Sequence, residues 1–133
     1  MAVKIENEFA EEEKKRREQE RTDHERKDFG NELLKIAQPF FSENLIFEIN
    51  TDHWQAIEYQ IKKVISKKGF FSFTHRPLVA QVYKNDDEKA NWKLEIVVFD
   101  PCHEELAKAL AAPYTMIYTG KIRVRVVHDP VSF

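Results

Sequence analysis

The sequence predicts an α+β fold: an antiparallel β-sheet of about four to six strands, helices packed mainly on one face of the sheet, and a long charged helix that precedes them. Two observations predict the sheet and its helices. Some segments alternate apolar and polar residues, and others repeat apolar residues at helical spacing. A third observation, a charged stretch without any apolar residue, predicts the preceding helix. The order of elements is compatible with an elaborated ferredoxin-like arrangement.

The charged stretch runs over residues 11–28, where fifteen of eighteen residues are charged and none is apolar. Acidic residues precede basic residues by four positions at three places: Glu11/Lys15, Glu12/Arg16 and Glu13/Arg17. Pairs in this order stabilise an isolated helix by roughly 0.2–0.5 kcal/mol each. Without an apolar stripe, such a helix cannot pack on a core. We therefore expect residues 1–28 to form a charged helical arm and residues 29–133 to form a single α+β domain.

A helix and a short strand are predicted after the arm. Apolar side chains recur on one helical face at Phe29, Leu33, Ile36 and Ala37. Pro39 is expected to end this helix, because proline lacks the amide hydrogen that the helical ladder needs. Residues 45–49 are predicted to form the strand.

Residues 52–68 are predicted to form the clearest helix of the domain. The apolar stripe of this helix consists of Trp54, Ile57, Ile61, Val64 and Ile65. Asp52, followed three residues later by Gln55, resembles a capping box. Gly69 suits the position just after the end of a helix.

Three strands are predicted next, over residues 70–76, 78–83 and 92–99. Apolar and polar side chains alternate in the first of them and at the start of the third. The third becomes apolar on both faces at Val97 and Phe99. This change indicates a central strand that is covered on both sides at that end.

A helix and a hairpin complete the predicted fold. Asp100 and Pro101 suit the N-cap and the first position of a helix, which is expected to run to Pro113. Residues 114–118 and 122–127 are predicted to pair as a hairpin around a Thr-Gly turn.

The composition excludes several classes of function. The three glycines are far apart, so a glycine-rich phosphate-binding loop is absent. One cysteine, Cys102, permits neither an internal disulfide nor a paired-cysteine zinc site, and it fits a reducing compartment. A helix dipole would favour its thiolate, but a small buried side chain is the preferred interpretation. No stretch resembles a signal peptide or a membrane span, so we expect a cytoplasmic protein without membrane contact.

No catalytic motif is recognisable, and we expect a non-enzymatic protein without a cofactor. One alternative uses neighbouring aspartates and histidines near the ends of predicted elements: Asp52/His53, Asp100/His103 and His128/Asp129. If such groups converged, they could hold a divalent metal and activate water, as in a metal-dependent phosphodiesterase. None of these pairs has the i, i+4 spacing of a helical metal motif. Capping and surface roles explain them more simply, and no metal ligand is assigned.

Charge is distributed unevenly along the chain. Residues 1–60 contain fifteen acidic and nine basic side chains, whereas residues 61–133 contain eight acidic and twelve basic ones. In the last predicted strand, Lys121, Arg123 and Arg125 share the face opposite the apolar residues. A basic strand face of this kind can contact an acidic protein surface or a nucleic acid.

The leading hypothesis is a protein-interaction module that acts as an adaptor, an accessory subunit or an inhibitor. Its partner is expected to be another protein or a second copy of the chain. The partner-binding residues are predicted at the apolar tip of the arm and on the basic strand face: Val3, Ile5, Phe9, Lys121, Arg123 and Arg125.

The alternative is binding of single-stranded nucleic acid, which needs basic side chains for the phosphates and aromatic rings for the bases. The residues predicted for this role are Arg76, Lys84, Lys93, Arg123 and Arg125. This alternative requires the strands that carry these basic residues to be neighbours in the sheet. The net charge of −2 is not typical of a nucleic-acid-binding domain.

Overall fold

The computed structural model describes residues 2–53, 55–69, 73–87, 89–99 and 103–127, with the backbone alone for residues 2–9 and 67. The chain has an α+β fold with a long N-terminal helix, a six-stranded and mostly antiparallel sheet, and a second, short helix. Its internal contacts fall into two units, Met1–Glu32 and Leu33–Phe133. Within the described residues, no helix has the length and apolarity needed to cross a membrane.

The N-terminal helix, α1, spans Ala2–Ala37. Side chains four residues apart interact along its charged stretch. The predicted pair of Glu13 and Arg17 is confirmed, with 2.8 Å between carboxylate and guanidinium. Gln19 donates a hydrogen bond to Asp23 at 3.1 Å. Such local pairs support a helix whose charged part has no apolar stripe.

A 3₁₀ turn, Gln38–Phe40, ends the helix at the point that Pro39 predicts. The side chain of Gln38 then joins this turn to the first strand. Its Nε2 donates to the carbonyl of Glu43 at 2.8 Å, and its Oε1 accepts from the amide of Leu45 at 3.0 Å. The start of the sheet is therefore fixed by one amide side chain.

The described strands are β1 (Asn44–Asn50), β2 (Ile57–Lys67), β3 (Phe73–His75), β4 (Leu78–Lys84), β5 (Leu94–Val98) and β6 (Ile122–Val126). The second helix, α2 (Glu104–Ala111), lies between β5 and β6 in the chain. The sheet order is β1-β2-β4-β5-β6, and β3 pairs with the end of β2. All described pairs are antiparallel except β5 with β6.

The strands predicted over residues 45–49, 78–83 and 92–99 are confirmed as β1, β4 and β5. β5 lies between two other strands, as its apolar pattern predicts. Of the strand predicted over residues 70–76, the part Phe73–His75 forms β3, and residues 70–72 lie outside the described residues.

The helix predicted over residues 52–68 is wrong, because β2 occupies most of that segment. Ile57 and Ile61 are spaced as on a helix, but Tyr59 between them is also buried. Buried side chains therefore recur at every second residue, which is the period of a strand. Most of the proposed stripe is β-branched, and β-branched residues favour strands. Trp54 lies outside the described residues.

A ferredoxin-like arrangement requires a helix between the first two strands. Here residues 51–56 connect β1 directly to the antiparallel β2. The α+β class is therefore correct, whereas the topology differs from the ferredoxin-like one.

The hairpin predicted for residues 114–118 and 122–127 is also wrong. Residues 115–120 form turns, in which the amide of Tyr118 donates to the carbonyl of Tyr114 at 2.9 Å. The strand after them, β6, pairs in parallel with β5. A parallel pair needs a crossover connection, and α2 with its following turns supplies it. The Thr-Gly turn does form, with a φ of 72° at Gly120.

The core is built from α2 and the central strands, and α2 packs against β5 and β6. The fully buried side chains include Leu106 and Leu110 in α2 and Leu94, Ile96 and Val98 in β5. Val97 is buried on the opposite face of β5, so this strand is covered on both sides. The proposed N-cap of α2, Asp100-Pro101, lies outside the described residues.

We expect Ile96→Ala to lower the free energy of unfolding by about 2–5 kcal/mol, because it leaves a cavity at a fully buried position. Val124→Ala is the matched control, since Val124 is paired with Ile96 in the sheet but is 47% exposed. This control should cost less than about 1 kcal/mol. Urea denaturation measures both values, and equal losses would contradict the burial described for β5.

Candidate binding site

A row of polar side chains crosses the sheet. The strand register aligns one residue from each of five strands: Asn50 in β1, Glu58 in β2, Tyr83 in β4, Glu95 in β5 and Arg123 in β6. Paired residues of neighbouring strands project from the same face. We call these five residues the polar row.

Glu58 is the buried centre of this row, with 2% of its surface exposed. Its Oε1 accepts hydrogen bonds from Asn50 Nδ2 and His53 Nε2, each at 3.1 Å. Its Oε2 accepts from Gln81 Nε2 and, at 3.3 Å, from the hydroxyl of Tyr83. Both carboxylate oxygens are therefore satisfied, as the burial of a charged group requires.

The connection between β1 and β2 is held against this carboxylate. Asn50 donates to Glu58 and accepts from the backbone amide of Asp52 at 2.9 Å. Because an ionised carboxylate only accepts hydrogen bonds, the Nε2 atom of His53 carries the proton that faces it. The ring of His53 also stands edge-on to that of Tyr83, with 5.4 Å between the ring centroids.

Burial and hydrogen bonding act in opposite directions on the pKa of Glu58. Burial, the largest single effect, raises the pKa, but the hydrogen-bond donors together outweigh it and bring the pKa below its ordinary value. These donors are His53, Asn50, Gln60 and Gln81. Glu58 is therefore ionised at neutral pH. Burial and the charge of Glu58 raise the pKa of Tyr83, whose hydroxyl keeps its proton and donates.

A pocket of about 220 Å³ opens beside the polar row. The lining residues are His53, Gln55, Ala56, Tyr83, Trp92, Glu95 and Arg125. The walls combine three aromatic rings with one ion pair. Pockets for drug-sized ligands measure about 300–1,000 Å³, so this smaller pocket suits a single ring system.

The two arginines of β6 interact with side chains next to this pocket. Arg125 Nε lies 3.0 Å from Glu95 Oε1, and the guanidinium of Arg123 lies 5.7 Å from the centroid of the Trp92 ring. The side chain of Arg125 is 63% exposed, whereas that of Glu95 is 20% exposed. Arg125 is therefore open to a ligand from solvent, but a ligand that draws it away from Glu95 has to supply that carboxylate with another donor.

The structure brings Arg123 and Arg125 to one face of β6, where both are exposed. Lys121, the third residue of the predicted basic face, comes just before the strand and is half-buried. Its carbonyl accepts a hydrogen bond from the amide of Lys93 at 2.7 Å. The two arginines are the exposed part of the predicted basic face.

Of the other residues predicted to bind nucleic acid, Lys84 and Arg76 are placed apart from these arginines, whereas Lys93 lies near them and its side chain bonds a loop. Lys84 is paired with Leu94, on the face opposite the polar row. Arg76 precedes β4, whereas the polar row crosses β4 close to its other end, at Tyr83. Lys93 Nζ donates to a carbonyl of the β4–β5 loop at 2.7 Å.

The predicted arm tip is described only by its backbone. Val3, Ile5 and Phe9 lie in α1, and their side chains are outside the described part of the structure. Their contact with a partner stays a prediction.

A metal site is not formed by the described residues, in which no three His, Cys, Asp or Glu side chains converge suitably. His53 is bound to Glu58 instead. The ring of His103 stands edge-on to that of Phe41, with 5.2 Å between the centroids. The remaining candidates lie outside the described residues: Asp100, Cys102, His128 and Asp129.

The sequence patterns used above do not identify Glu58, Tyr83 or Trp92 as site residues. With residues 52–68 interpreted as a helix, Glu58 is one of several solvated side chains. The alternation of apolar residues around it is the signal that could have placed it on the polar face of a strand.

The chain matches no protein-family model, no curated protein and no solved structure.

Glu58→Gln should destabilise the protein at pH 7 by about 1–3 kcal/mol. The NH₂ group of the new glutamine would face the groups that now donate hydrogen bonds to the carboxylate. The pKa of Glu58 is lowered by folding, so the wild-type advantage is fully present above the unfolded-state pKa of about 4.3. It is lost as the pH falls through the lower folded-state pKa.

Urea denaturation from pH 7 to pH 3 should therefore show the gap between wild type and variant narrowing. Asp86→Asn, at an exposed loop position, is the control and should change stability by less than about 0.5 kcal/mol. A gap that does not depend on pH would contradict the ionised state of Glu58.

Proposed function

We propose that the protein is a non-enzymatic interaction module that binds an extended, acidic segment of a partner protein along β6. The position of β6 carries this proposal. It is the last strand in the order β1-β2-β4-β5-β6, and among the described residues it pairs with β5 alone. An edge strand offers unpaired backbone groups to a strand from another chain.

The outward backbone groups of β6 belong to Ile122, Val124 and Val126. The carbonyl of Lys121 and the amide of Val127, at the two ends of the strand, are both bonded to the β5 side. Successive residues of a strand direct their backbone groups to opposite sides. The even-numbered residues therefore point theirs away from β5, toward an added strand.

Charge supports an acidic occupant. Arg123 and Arg125 are exposed on one face of β6, and acidic side chains opposite them would form cross-strand pairs worth about 0.2–1 kcal/mol each. A second copy of the chain fits poorly. Antiparallel pairing of two β6 strands about Val124 would place Arg123 opposite Arg125, and like charges in that arrangement are destabilising.

Exposed apolar residues near β6 support a protein partner. Val124 is 47% exposed, and Met116 and Ile117, in the turns before β6, are 91% and 68% exposed. Exposed apolar surface is typical of protein contact sites. Charged edge residues can also act only to prevent aggregation, and the experiment below separates these two roles.

The charged arm is proposed as a second contact, through Val3, Ile5 and Phe9. The single cysteine fits a reducing compartment, and we propose that the protein acts in the cytoplasm.

Val124→Pro tests docking along β6, because it removes an outward amide without removing a hydrogen bond to β5. Proline is tolerated on an edge strand in this orientation. We expect a fluorescent peptide of alternating Glu and Val to bind the wild type, and the variant to bind it roughly tenfold more weakly.

Val124→Thr, which keeps the amide and the branched shape, is the matched control and should bind like the wild type. Fluorescence anisotropy measures these affinities, and circular dichroism checks that each variant is folded. Equally tight binding of the Glu/Val peptide by Val124→Pro would contradict docking along β6. Preference for a Lys/Val peptide would contradict an acidic occupant.

The combined change Val3→Ser, Ile5→Ser and Phe9→Ser tests the arm in the full-length chain. We expect it to reduce the amount of partner that the tagged protein captures from its native lysate, because it removes the apolar tip. Nuclease treatment should leave that capture unchanged. Capture that disappears with nuclease would indicate nucleic acid in place of a protein partner.

A further inference from the structure

A strand docked along β6 would not enter the pocket beside the polar row, although Arg125 borders both. A strand added to β6 would lie three strand spacings, about 14 Å, from β4 and Tyr83. Its side chains could contact Arg125 but could not fill the pocket. A ligand of this pocket would therefore be distinct from the docked segment.

The aromatic rings of the pocket provide stacking surfaces. His53, Tyr83 and Trp92 line it, and Trp92 already holds the planar guanidinium of Arg123 near its ring. Bases of nucleic acids and nucleotides stack on aromatic side chains in the same way. A volume of about 220 Å³ suits one base.

The polar groups of the pocket specify the rest of the ligand. Glu95 forms an ion pair with Arg125 through Oε1, which leaves Oε2 as an acceptor. Arg125 is largely exposed and presents a guanidinium, whose geometry matches phosphate. An organic cation would be repelled by Arg125, and a purely apolar ligand would leave Glu95 and Arg125 desolvated.

We infer that the pocket binds a nucleotide whose base carries an amino group. The base lies against Tyr83 and Trp92, its amino group donates to Glu95, and its phosphate binds Arg125. The two polar contacts support each other. When the phosphate attracts Arg125, Glu95 loses its ion-pair partner, and the amino group of the base donates to Glu95 instead.

Cytidine and uridine monophosphate form the matched ligand pair, because they differ at ring position 4, an amino donor in one and a carbonyl acceptor in the other. Titration calorimetry on the full-length protein should show that cytidine monophosphate binds roughly tenfold more tightly. Equal affinities, tighter binding of uridine monophosphate, or no binding of either would overturn the inference.

Two variants test the assigned contacts. Glu95→Gln should remove the preference for cytosine, because a glutamine amide can donate as well as accept. Arg125→Gln should weaken the monophosphate roughly tenfold and leave the nucleoside cytidine unchanged. A loss shared equally by both ligands would show that Arg125 does not bind the phosphate, and would overturn the assignment.

Val124→Pro serves as the control, since it alters the edge of β6 and should leave nucleotide binding unchanged. It therefore distinguishes failure of this pocket from failure of the docking proposal. A five-residue oligodeoxycytidine identifies the source of the nucleotide. Much tighter binding than the mononucleotide indicates single-stranded nucleic acid, similar binding indicates a free nucleotide, and loss of the cytosine preference in the oligonucleotide overturns the inference.

Discussion

Glu58 places an ionised carboxylate between β1 and β4, and only 2% of the surface of this residue is exposed. A charged group is stable at such a buried position only when hydrogen-bond donors surround it. Those donors include Asn50 on one side and Gln81 and Tyr83 on the other. A shift of one residue in either pairing would turn the donors to the opposite face. The buried charge therefore selects the register of three strands, in addition to any stability it contributes.

The same register carries the polar face across the rest of the sheet. Tyr83 is paired with Glu95, and Glu95 with Arg123, so the row that begins at the buried carboxylate ends on the exposed edge strand. Along β5 the residues that alternate with Glu95 are fully buried. These apolar residues and Val97 secure the strand in the core, and Glu95 is the residue of β5 that is left available for a site.

The sequence predicts the strands that a proline, a polar loop or an initial alternation marks, and it is misleading where apolar spacing alone is used. β4 lies between Pro77 and a polar loop, β5 begins in alternation, and the positions of both are correct. In β2, Ile57 and Ile61 are four residues apart, a spacing that fits a helix as well as a strand. The predicted apolar stripe does not include Tyr59, which lies between them and is also buried. Since that segment is interpreted as a helix, the role of Glu58 is not predicted. The parallel pairing of β6 is also missed, since a strand's own pattern does not specify its neighbours.

Arg125 belongs to both proposed sites, and this makes the two binding events interdependent. A phosphate bound to Arg125 neutralises one of the two positive charges that β6 presents to an acidic strand. Nucleotide binding would therefore weaken docking, and the docked segment would weaken nucleotide binding by the same factor, because coupling between two equilibria is reciprocal. The outward backbone groups of Val124 take no part in this competition. The coupling thus reduces the electrostatic part of docking and leaves the strand pairing itself intact.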